Sequence, residues 1–244
     1  MERNTILLID GDVLAYQSCR PRWEKLGFQP YSTDGKRMEI EWSIEEDKEY
    51  LEESWETFQK KLDDLQTRFF TEEYVMAVKG PDNFRNIVFP DYKSNRNNDK
   101  RISNIFVPML RKRAVEHGFA IESIGREADD LLRIWSEECI KDNREYIVCT
   151  IDKDLKCIPG KFYNMKYDEV IEISEIEAKR HYYEQLLKGD PTDFIPGLPR
   201  IGPKKAEKML QHCVTEEEMQ EEVLGQYIIH YGDDWMEYLS VMER

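Results

Sequence analysis

Cysteine and long hydrophobic runs are both scarce in this sequence. The five cysteines among 244 residues include no closely spaced pair of the kind found in zinc or redox motifs. They predict reduced, mostly buried thiols and an intracellular protein. No apolar stretch reaches membrane-spanning length, and no signal sequence precedes the first predicted strand. We therefore expect a cytoplasmic protein with no membrane partner.

An excess of positive charge is also missing, because 35 Lys and Arg stand against 50 Asp and Glu and give a net charge of −15. This balance argues against nucleic-acid binding through overall charge, but it allows a local basic face. Hydrophobic residues make up 40% of the chain, which is enough for a substantial core. The length allows one α/β domain, or a core domain with a small helical appendage.

Four short apolar runs predict buried strands at residues 6–9, 74–78, 119–122 and 146–151. Segments with helical spacing of apolar residues alternate with these runs. The alternation predicts an α/β fold with a mostly parallel central sheet flanked by helices.

An insertion at about residues 21–70 separates the first two predicted strands. An Asp-Gly turn predicts a hairpin at residues 31–42, and a capping box at residues 43–46 opens an amphipathic helix of about seven turns. We assign residues 1–188 to the α/β core with this insertion. Residues 189–244 are assigned to a helical hairpin and C-terminal helices packed on the core.

Acidic residues follow the end of each of the four predicted strands. In chain order they are Asp10 and Asp12, then Asp82, then Glu127, Asp129 and Asp130, and finally Asp152 and Asp154. Each group alone also suits local structure, since Asp-Gly favours turns and acids favour the first turn of a helix. Because parallel strands end at one edge of a sheet, we expect the four groups to converge. Carboxylates without histidine or cysteine predict Mg²⁺ or Mn²⁺ rather than Zn²⁺.

Two basic segments interrupt this acidic chain. Residues 91–101 are polar and basic with one aromatic, and residues 111–113 extend the positive charge into the next helix. This segment predicts nucleic-acid or phosphate contact, with a solvated loop as the alternative. Further along, a Gly- and Pro-rich turn at residues 189–203 precedes a helix that bears Lys204 and Lys205. That turn suits either a phosphate site or a plain helix–turn–helix connector.

Six motifs occur together in a fixed order between residue 5 and about residue 210. They are Ile9-Asp10-Gly11-Asp12, Asp82 with Phe84-Arg85, Tyr92-Lys93 with Asn95-Arg96, Glu127-Ala128-Asp129-Asp130, Asp152-Lys153-Asp154, and Gly189-Asp190 with Asp193, Gly197 and Gly202. The ordered set resembles that of the structure-specific 5′-nucleases, also called flap endonucleases and 5′→3′ exonucleases. It is most similar to the compact versions encoded by tailed phages. The resemblance implies a PIN-like nuclease core with a C-terminal helical hairpin that binds DNA.

The resemblance also implies two groups of metal ligands. The first corresponds to Asp10, Asp82, Glu127 and Asp129. The second corresponds to Asp130, Asp152, Asp154, Asp190 and Asp193. Two Mg²⁺ ions, for which Mn²⁺ can substitute, would then be the cofactors.

The implied contacts to DNA lie in the two basic segments. Lys93 matches a lysine that contacts the scissile phosphate, Arg96 occupies the matching basic position, and Tyr92 matches a residue that stacks near the terminal base. The turn at residues 197–202 matches a hairpin that grips duplex DNA, often around a K⁺ ion. The remaining expected DNA contacts are Arg85, Lys100, Arg101, Gly197, Gly202, Lys204 and Lys205.

Members of this family hydrolyse DNA, and commonly RNA paired to DNA, from the 5′ side. We therefore expect a 5′→3′ exonuclease or flap endonuclease of DNA replication or repair, acting as a monomer at 5′ ends, nicks, gaps or flaps. Two-metal hydrolysis would leave 5′-phosphates. The residues expected to act in catalysis are Lys93, Arg96, Asp130 and Asp152.

Three features depart from the family pattern. Few residues separate Arg96 from the next predicted helix, where the family has an arch. Phe194 follows Asp193 where the family has Asn, and residues 21–70 have no counterpart in the larger cellular members. A PIN-like single-strand ribonuclease and a non-catalytic DNA-binding protein are the alternatives. The basic segments argue against the first of these and the intact acid set against the second.

Overall fold

The computed structural model describes residues 5–19, 44–94 and 106–242. The chain divides into two compact units. Unit 1 takes its described residues from 1–82, 97–151 and 163–167, and unit 2 takes them from 83–96, 152–162 and 168–244.

Strands and helices alternate through the first half of the described chain, and helices dominate the second half. The strands are β1 (Ile6–Asp10), β2 (Tyr74–Val78), β3 (Ile121–Glu122), β4 (Tyr146–Thr150), β5 (Gly160–Asn164), β6 (Glu169–Ile173), β7 (Gly189–Asp190) and β8 (Ile195–Pro196). The α-helices are α1 (Gly11–Ser18), α2 (Ile44–Phe69), α3 (Arg85–Val88), α4 (Phe106–Glu116), α5 (Ala128–Lys141), α6 (Glu175–Lys188), α7 (Pro203–Leu210), α8 (Glu216–Tyr231) and α9 (Trp235–Met242). Short 3₁₀ helices span Lys153–Cys157 and Gly232–Asp234.

Unit 1 is built on four parallel strands in the order β3-β2-β1-β4. Every residue of β1 and of β4 is buried, as expected of continuous apolar runs in the middle of a parallel sheet. The register pairs Leu8 with Val75 on one side and with Val148 on the other. Beyond β4, the Met165 N–H donates to the Thr150 C=O at 3.1 Å, next to the end of β5. The predicted parallel sheet is confirmed.

Helices α1, α2 and α4 pack against one another in unit 1, and α5 packs on β1 and β2. The buried face of α2 includes Phe58 and Leu62, which join Leu14, Ile9 and Leu110 in one apolar cluster. This helix was predicted from its apolar spacing, and its burial explains why so acidic a segment is held in place. The predicted hairpin at residues 31–42 lies outside the described residues.

Unit 2 has its own apolar core. Leu187 of α6, Leu210 of α7, and Met219 and Tyr227 of α8 are all at most 1% exposed. The Tyr227 hydroxyl donates to the Leu186 C=O at 2.8 Å, so its one polar atom is also satisfied. Helix α6 therefore packs with the C-terminal helices, whereas the sequence assigns residues up to 188 to the core. The domain assignment itself stays a prediction.

Other expected elements have the predicted type with small shifts at their ends. The third strand is limited to Ile121–Glu122, within the segment predicted at residues 119–122, and two further strands, β5 and β6, follow β4. None of the helices in the described ranges is long and apolar enough to cross a bilayer.

Candidate functional site

Asp10 lies where β1 ends and α1 begins, and three donors hold its carboxylate. The Oδ1 atom accepts hydrogen bonds from the backbone N–H groups of Asp12 and Val13, both at 3.1 Å, as an N-cap residue does. The Oδ2 atom accepts a hydrogen bond from Thr150 Oγ1 at 2.8 Å. Thr150 ends β4, so this carboxylate links two neighbouring strand ends. With only 5% of its surface exposed, Asp10 is a fixed oxygen donor at the carboxyl edge of the sheet.

Asp12, two residues later, has partners from two other elements. Its Oδ1 atom accepts from the Lys79 N–H at 3.0 Å and lies 2.7 Å from Arg111 Nε. Despite this short distance, Arg111 Nε makes no hydrogen bond. The contact is therefore an ion pair rather than a hydrogen bond.

The basic run at residues 111–113 has acidic partners within unit 1. Arg113 makes two hydrogen bonds to Glu52, at 2.7 and 2.8 Å. Lys112 lies 3.6 Å from Glu116 on the same exposed helical face, and Arg111 pairs with Asp12. These acidic partners neutralise the positive charges that were predicted to contact phosphate.

The turn after β2 is tightly packed against the end of β3. The Gly80 N–H donates to Ser123 Oγ at 3.0 Å, and a Cβ at Gly80 would lie only 1.7 Å from the Ser123 C=O oxygen. The residue after Gly80-Pro81, Asp82, is exposed. A glycine is thus required for the close approach that fixes the turn leading to this predicted metal ligand.

Glu127 precedes the first residue of α5, and Asp130 caps it. The Glu127 N–H donates to Asp130 Oδ2 at 2.9 Å, which satisfies one of the free N–H groups at the helix start. The local explanation of this acidic stretch is therefore confirmed for Asp130. Glu127, Asp129 and Asp130 are all partly exposed, and their predicted role as metal ligands stays a prediction.

Three carboxylates crowd together in unit 2, on Asp152, Asp154 and Asp190. Burial raises the pKa of Asp154, and the negative charges of Asp152 and then Asp190 raise it further. Asp152 Oδ1 accepts from the Asp154 N–H at 2.8 Å, and Gln185 Nε2 donates to Asp154 Oδ1 at 2.8 Å. A bound cation stabilises neighbouring carboxylates, and carboxylate oxygens are the donors that Mg²⁺ and Mn²⁺ prefer. The chemistry of these side chains therefore suits a divalent ion.

The side chains that the structure describes do not by themselves form a complete ligand cage. Within residues 5–19, 44–94 and 106–242, no three Asp, Glu, His or Cys side chains are arranged closely enough to hold a metal ion. The assignment of individual ligands to two ions therefore stays a prediction.

Asp193 makes polar contacts with both Tyr92 and Lys93. The Tyr92 hydroxyl donates to Asp193 Oδ2 at 3.0 Å, and Lys93 Nζ lies 3.4 Å from the same oxygen. The Lys93 N–H also donates to the Asp193 C=O at 2.8 Å. Lys93 has a backbone φ of 57°, a conformation that costs a lysine energy and that this double attachment holds.

The environment of Tyr92 bears on its predicted stacking role. The residue is only 7% exposed, and Lys93 Nζ lies 4.7 Å from the centre of its ring. Stacking on a base would require uncovering the ring, so this role stays a prediction. Arg85 lies partly exposed, with its guanidinium 4.8 Å from the Phe84 ring centre. Arg96, Lys100 and Arg101 lie outside the described residues.

The glycine-rich turn of unit 2 has a buried side and an exposed side. Leu198 and Ile201 are 3% and 5% exposed, and the Leu198 N–H donates to the Leu187 C=O at 2.8 Å. Lys204 and Lys205 at the start of α7 are exposed. This arrangement suits the predicted DNA hairpin, and neither DNA nor K⁺ binding follows from it alone.

Three residues at these positions have no signal in the sequence that would identify them. Thr150 follows an apolar run like any strand-ending residue, Gln185 is one polar residue on an amphipathic helix, and Arg111 reads as part of a basic run. Their partners Asp10, Asp154 and Asp12 are 31 to 140 residues away in the chain, so local patterns cannot indicate the pairing.

The chain is similar in sequence to several bacterial nucleases, although no protein-family model matches it. It is 31% identical over 134 residues to a 5′-3′ exonuclease of Buchnera aphidicola, a match that covers 51% of this chain and 47% of that protein. It is 24% identical over 229 residues to a 5′-3′ exonuclease of Mycoplasma pneumoniae, covering 86% and 72% of the two chains. A flap endonuclease Xni of Shewanella sediminis is 26% identical over 137 residues, covering 52% and 54%. The match thus spans about half the length of the Buchnera and Shewanella proteins.

Solved structures of a phage nuclease share the fold. The bacteriophage T5 D15 flap endonuclease, in a complex with DNA and metal ions, has a TM-score of 0.63 at 12% identity, covering 99% of this chain and 100% of that one. A T5 5′-exonuclease with bound zinc has a TM-score of 0.62 at 12% identity, covering 98% of each chain. The predicted fold class is confirmed. The resemblance inferred from the order of the motifs is also confirmed.

Proposed function

We propose that this chain, a relative of the structure-specific 5′ nucleases in sequence and in fold, is a metal-dependent nuclease that hydrolyses DNA from the 5′ side. The observation that carries the proposal is the position of Asp154 beside Asp152 and Asp190, where burial and then the charges of these two carboxylates raise its pKa. Such repulsion destabilises the protein without a ligand and is relieved by a divalent cation. Perturbed carboxylates of this kind cluster at catalytic sites.

The two predicted groups of acids would hold two divalent cations, for which Mg²⁺ is proposed and Mn²⁺ is the expected substitute. When bound, such ions supply Lewis acidity for phosphodiester hydrolysis that leaves a 5′-phosphate. Asp10 would contribute a carboxylate already fixed by Thr150. Asp152 would contribute a carboxylate that accepts a hydrogen bond from the Asp154 N–H. Asp154 would contribute a carboxylate that accepts a hydrogen bond from Gln185.

Lys93 would place positive charge where negative charge develops on the reacting phosphate. Its anchor is Asp193, which holds both its backbone and its ammonium group. A fixed cation needs little reorganisation during the reaction, which is why preorganised donors lower the barrier. Arg96 is proposed for the same task.

Exposed lysines on one side of the glycine-rich turn support binding to the sugar–phosphate backbone of DNA. Lys204, Lys205 and Lys208 are exposed around α7, in a chain whose overall charge repels DNA. Contacts to phosphates carry no base information, so no sequence preference is expected. The proposed substrates are DNA with a 5′ end, nick, gap or flap, and RNA in RNA–DNA hybrids. The proposed setting is DNA replication or repair by a monomer.

The test is digestion of duplex DNA labelled at the 5′ end in one reaction and at the 3′ end in another, with Mg²⁺, Mn²⁺, Zn²⁺ or EDTA. We expect short 5′-labelled products early, gradual shortening of the 3′-labelled strand, and no cleavage in EDTA. Failure to cleave with every divalent ion would favour a DNA-binding protein. Attack on single-stranded RNA alone would favour a PIN-like ribonuclease.

Matched variants separate cleavage from folding and binding. Asp130→Asn and Asp152→Asn should abolish cleavage and leave DNA binding largely intact. At residue 130, asparagine also keeps an oxygen that can accept from the Glu127 N–H. Asp142→Asn, at the opposite end of α5 and exposed, is the control and should retain wild-type activity. Full activity of either test variant at saturating Mg²⁺ would overturn the assignment.

A further inference from the structure

Helix α4 carries two arginines that are two residues apart and have different partners. Residues at this spacing lie on different faces of a helix. Arg113 pairs with Glu52 of α2 and so joins two helices. Arg111 lies with its Nε 2.7 Å from Asp12 Oδ1 and so joins α4 to the first turn of α1, directly after β1.

The same oxygen of Asp12 has a second partner at the end of the neighbouring strand. Lys79 directly follows β2, and its N–H donates to Asp12 Oδ1 at 3.0 Å. One carboxylate oxygen therefore connects three elements of unit 1. The backbone N–H of Asp12 meanwhile donates to Asp10 Oδ1 at 3.1 Å, so movement of Asp12 would also disturb Asp10.

Both members of this ion pair are partly shielded from water. The Arg111 side chain is 26% exposed and the Asp12 side chain 27%. A pair in this position loses less of its attraction to solvent than a fully exposed surface pair.

We propose that Arg111 and Asp12 are positioning residues that set the spacing of the ends of β1 and β2, and thereby of the predicted metal ligands Asp10 and Asp82. The inference rests on the proposed function. Arg111 forms an ion pair with Asp12. The Asp12 carboxylate accepts a hydrogen bond from the Lys79 N–H, and the Asp12 N–H donates to the Asp10 carboxylate. Asp82 follows three residues after Lys79, through the turn that Gly80 packs against Ser123. Partners of this kind tune metal affinity although they do not bind the metal.

The experiment compares Arg111→Gln with Arg113→Gln, because each removes one cation and one ion pair from the same helix. Mn²⁺ binding is measured by electron paramagnetic resonance without DNA, and thermal unfolding is measured in EDTA. Cleavage is measured as a function of Mg²⁺ concentration. We expect similar losses of thermal stability in both variants. Only Arg111→Gln should weaken Mn²⁺ binding, by about tenfold or more, and raise the Mg²⁺ concentration for half-maximal cleavage.

Two further variants keep the test decisive if Arg111→Gln does not fold. Asp12→Asn retains an oxygen for the Lys79 N–H but loses the charge, and it should weaken Mn²⁺ binding like Arg111→Gln. Arg111→Lys should restore part of that binding. A variant that combines Arg111→Gln with Asp12→Asn should bind Mn²⁺ no more weakly than whichever single variant has the lower affinity, because both changes break the same contact.

Each outcome decides the inference. Equal Mn²⁺ affinity in Arg111→Gln, Asp12→Asn and Arg113→Gln would show a purely structural ion pair and overturn it. A wild-type protein that binds Mn²⁺ but cleaves no nucleic acid would contradict the proposed function, while the binding comparison would still test the role of Arg111.

Discussion

Asp193 holds Lys93 at two points, through a backbone hydrogen bond of 2.8 Å and an approach of 3.4 Å between its carboxylate and the ammonium group. The family resemblance implies a metal-binding role for Asp193 and a phosphate-binding role for Lys93, as two separate functions. Their contact links the two roles. A substitution at Asp193 should therefore also alter the position of the Lys93 ammonium group.

We expect Asp193→Asn and Lys93→Ala to affect the same step. Lys93→Ala should slow cleavage by about 10²-fold, as loss of a preorganised cationic donor does. The double variant should be no slower than the slower single variant, since the contact is already broken. Single-turnover rates at saturating Mg²⁺ check this, with the exposed Asp142→Asn as the control that should match the wild type. Independent, multiplicative losses for Asp193 and Lys93 would contradict the linkage.

Asp154→Asn should stabilise the metal-free protein while it abolishes cleavage. Burial and two neighbouring carboxylates raise the pKa of Asp154, so its ionised form is disfavoured in the folded state. Stability of the wild type should therefore decline as the pH rises through this raised pKa, and the variant should lack that decline. Thermal unfolding in EDTA as a function of pH checks the prediction. Added Mg²⁺ should reduce the difference, and a less stable variant at neutral pH would count against the crowding.

His181→Gln should weaken the acid sensitivity of unfolding. Burial, and then the charges of Lys188, Lys156 and Lys153, lower the pKa of His181 to about 4. Between pH 6.5 and that value the unfolded chain takes up a proton that the folded chain does not. The stability contributed by neutral His181 is therefore lost as the pH falls through this window. Melting temperatures of wild type and variant check this, with the exposed His212→Gln as a control that should follow the wild type.

Gly197→Ala should destabilise the fold and Gly202→Ala should not, whereas both should weaken DNA binding. A Cβ at residue 197 would lie 2.1 Å from the Lys188 carbonyl carbon, whereas one at residue 202 would meet no atom within 4 Å. We expect Gly197→Ala to lower stability by about 1–3 kcal/mol and Gly202→Ala to leave it unchanged. Chemical denaturation checks stability, and DNA affinity at fixed salt checks binding. Normal DNA binding by Gly202→Ala would remove this glycine from the predicted contacts.

Much of the fold follows from patterns within short windows of sequence. The apolar runs of β1 and β4 predict buried parallel strands, and the apolar spacing from Ile44 to Phe69 predicts α2. These signals persist because the faces they describe are buried in the fold. The limits of β3, and the packing of α6 with α7 and α8, depend on tertiary contacts that no local window contains.

The types and positions of residues at the candidate site could be predicted from the sequence, but the contacts between their side chains could not. The positions of the acids follow from strand ends, since Asp10, Asp82 and Asp152 each come just after a predicted strand. Which cation pairs with which acid does not follow, because Lys93 meets Asp193 and Arg111 meets Asp12 across about a hundred residues. Such pairings arise from the three-dimensional path of the chain.

The buried side chains of Leu198 and Ile201 affect the kinetics expected for DNA binding. These residues anchor the glycine-rich turn in the same apolar core as Leu187 and Leu210. If the turn binds DNA as proposed, it has little ordering entropy to lose when it meets a duplex. Its association rate should be set by diffusion and by attraction to the lysines of α7 rather than by a folding step. Release of the duplex should likewise occur without melting of the turn.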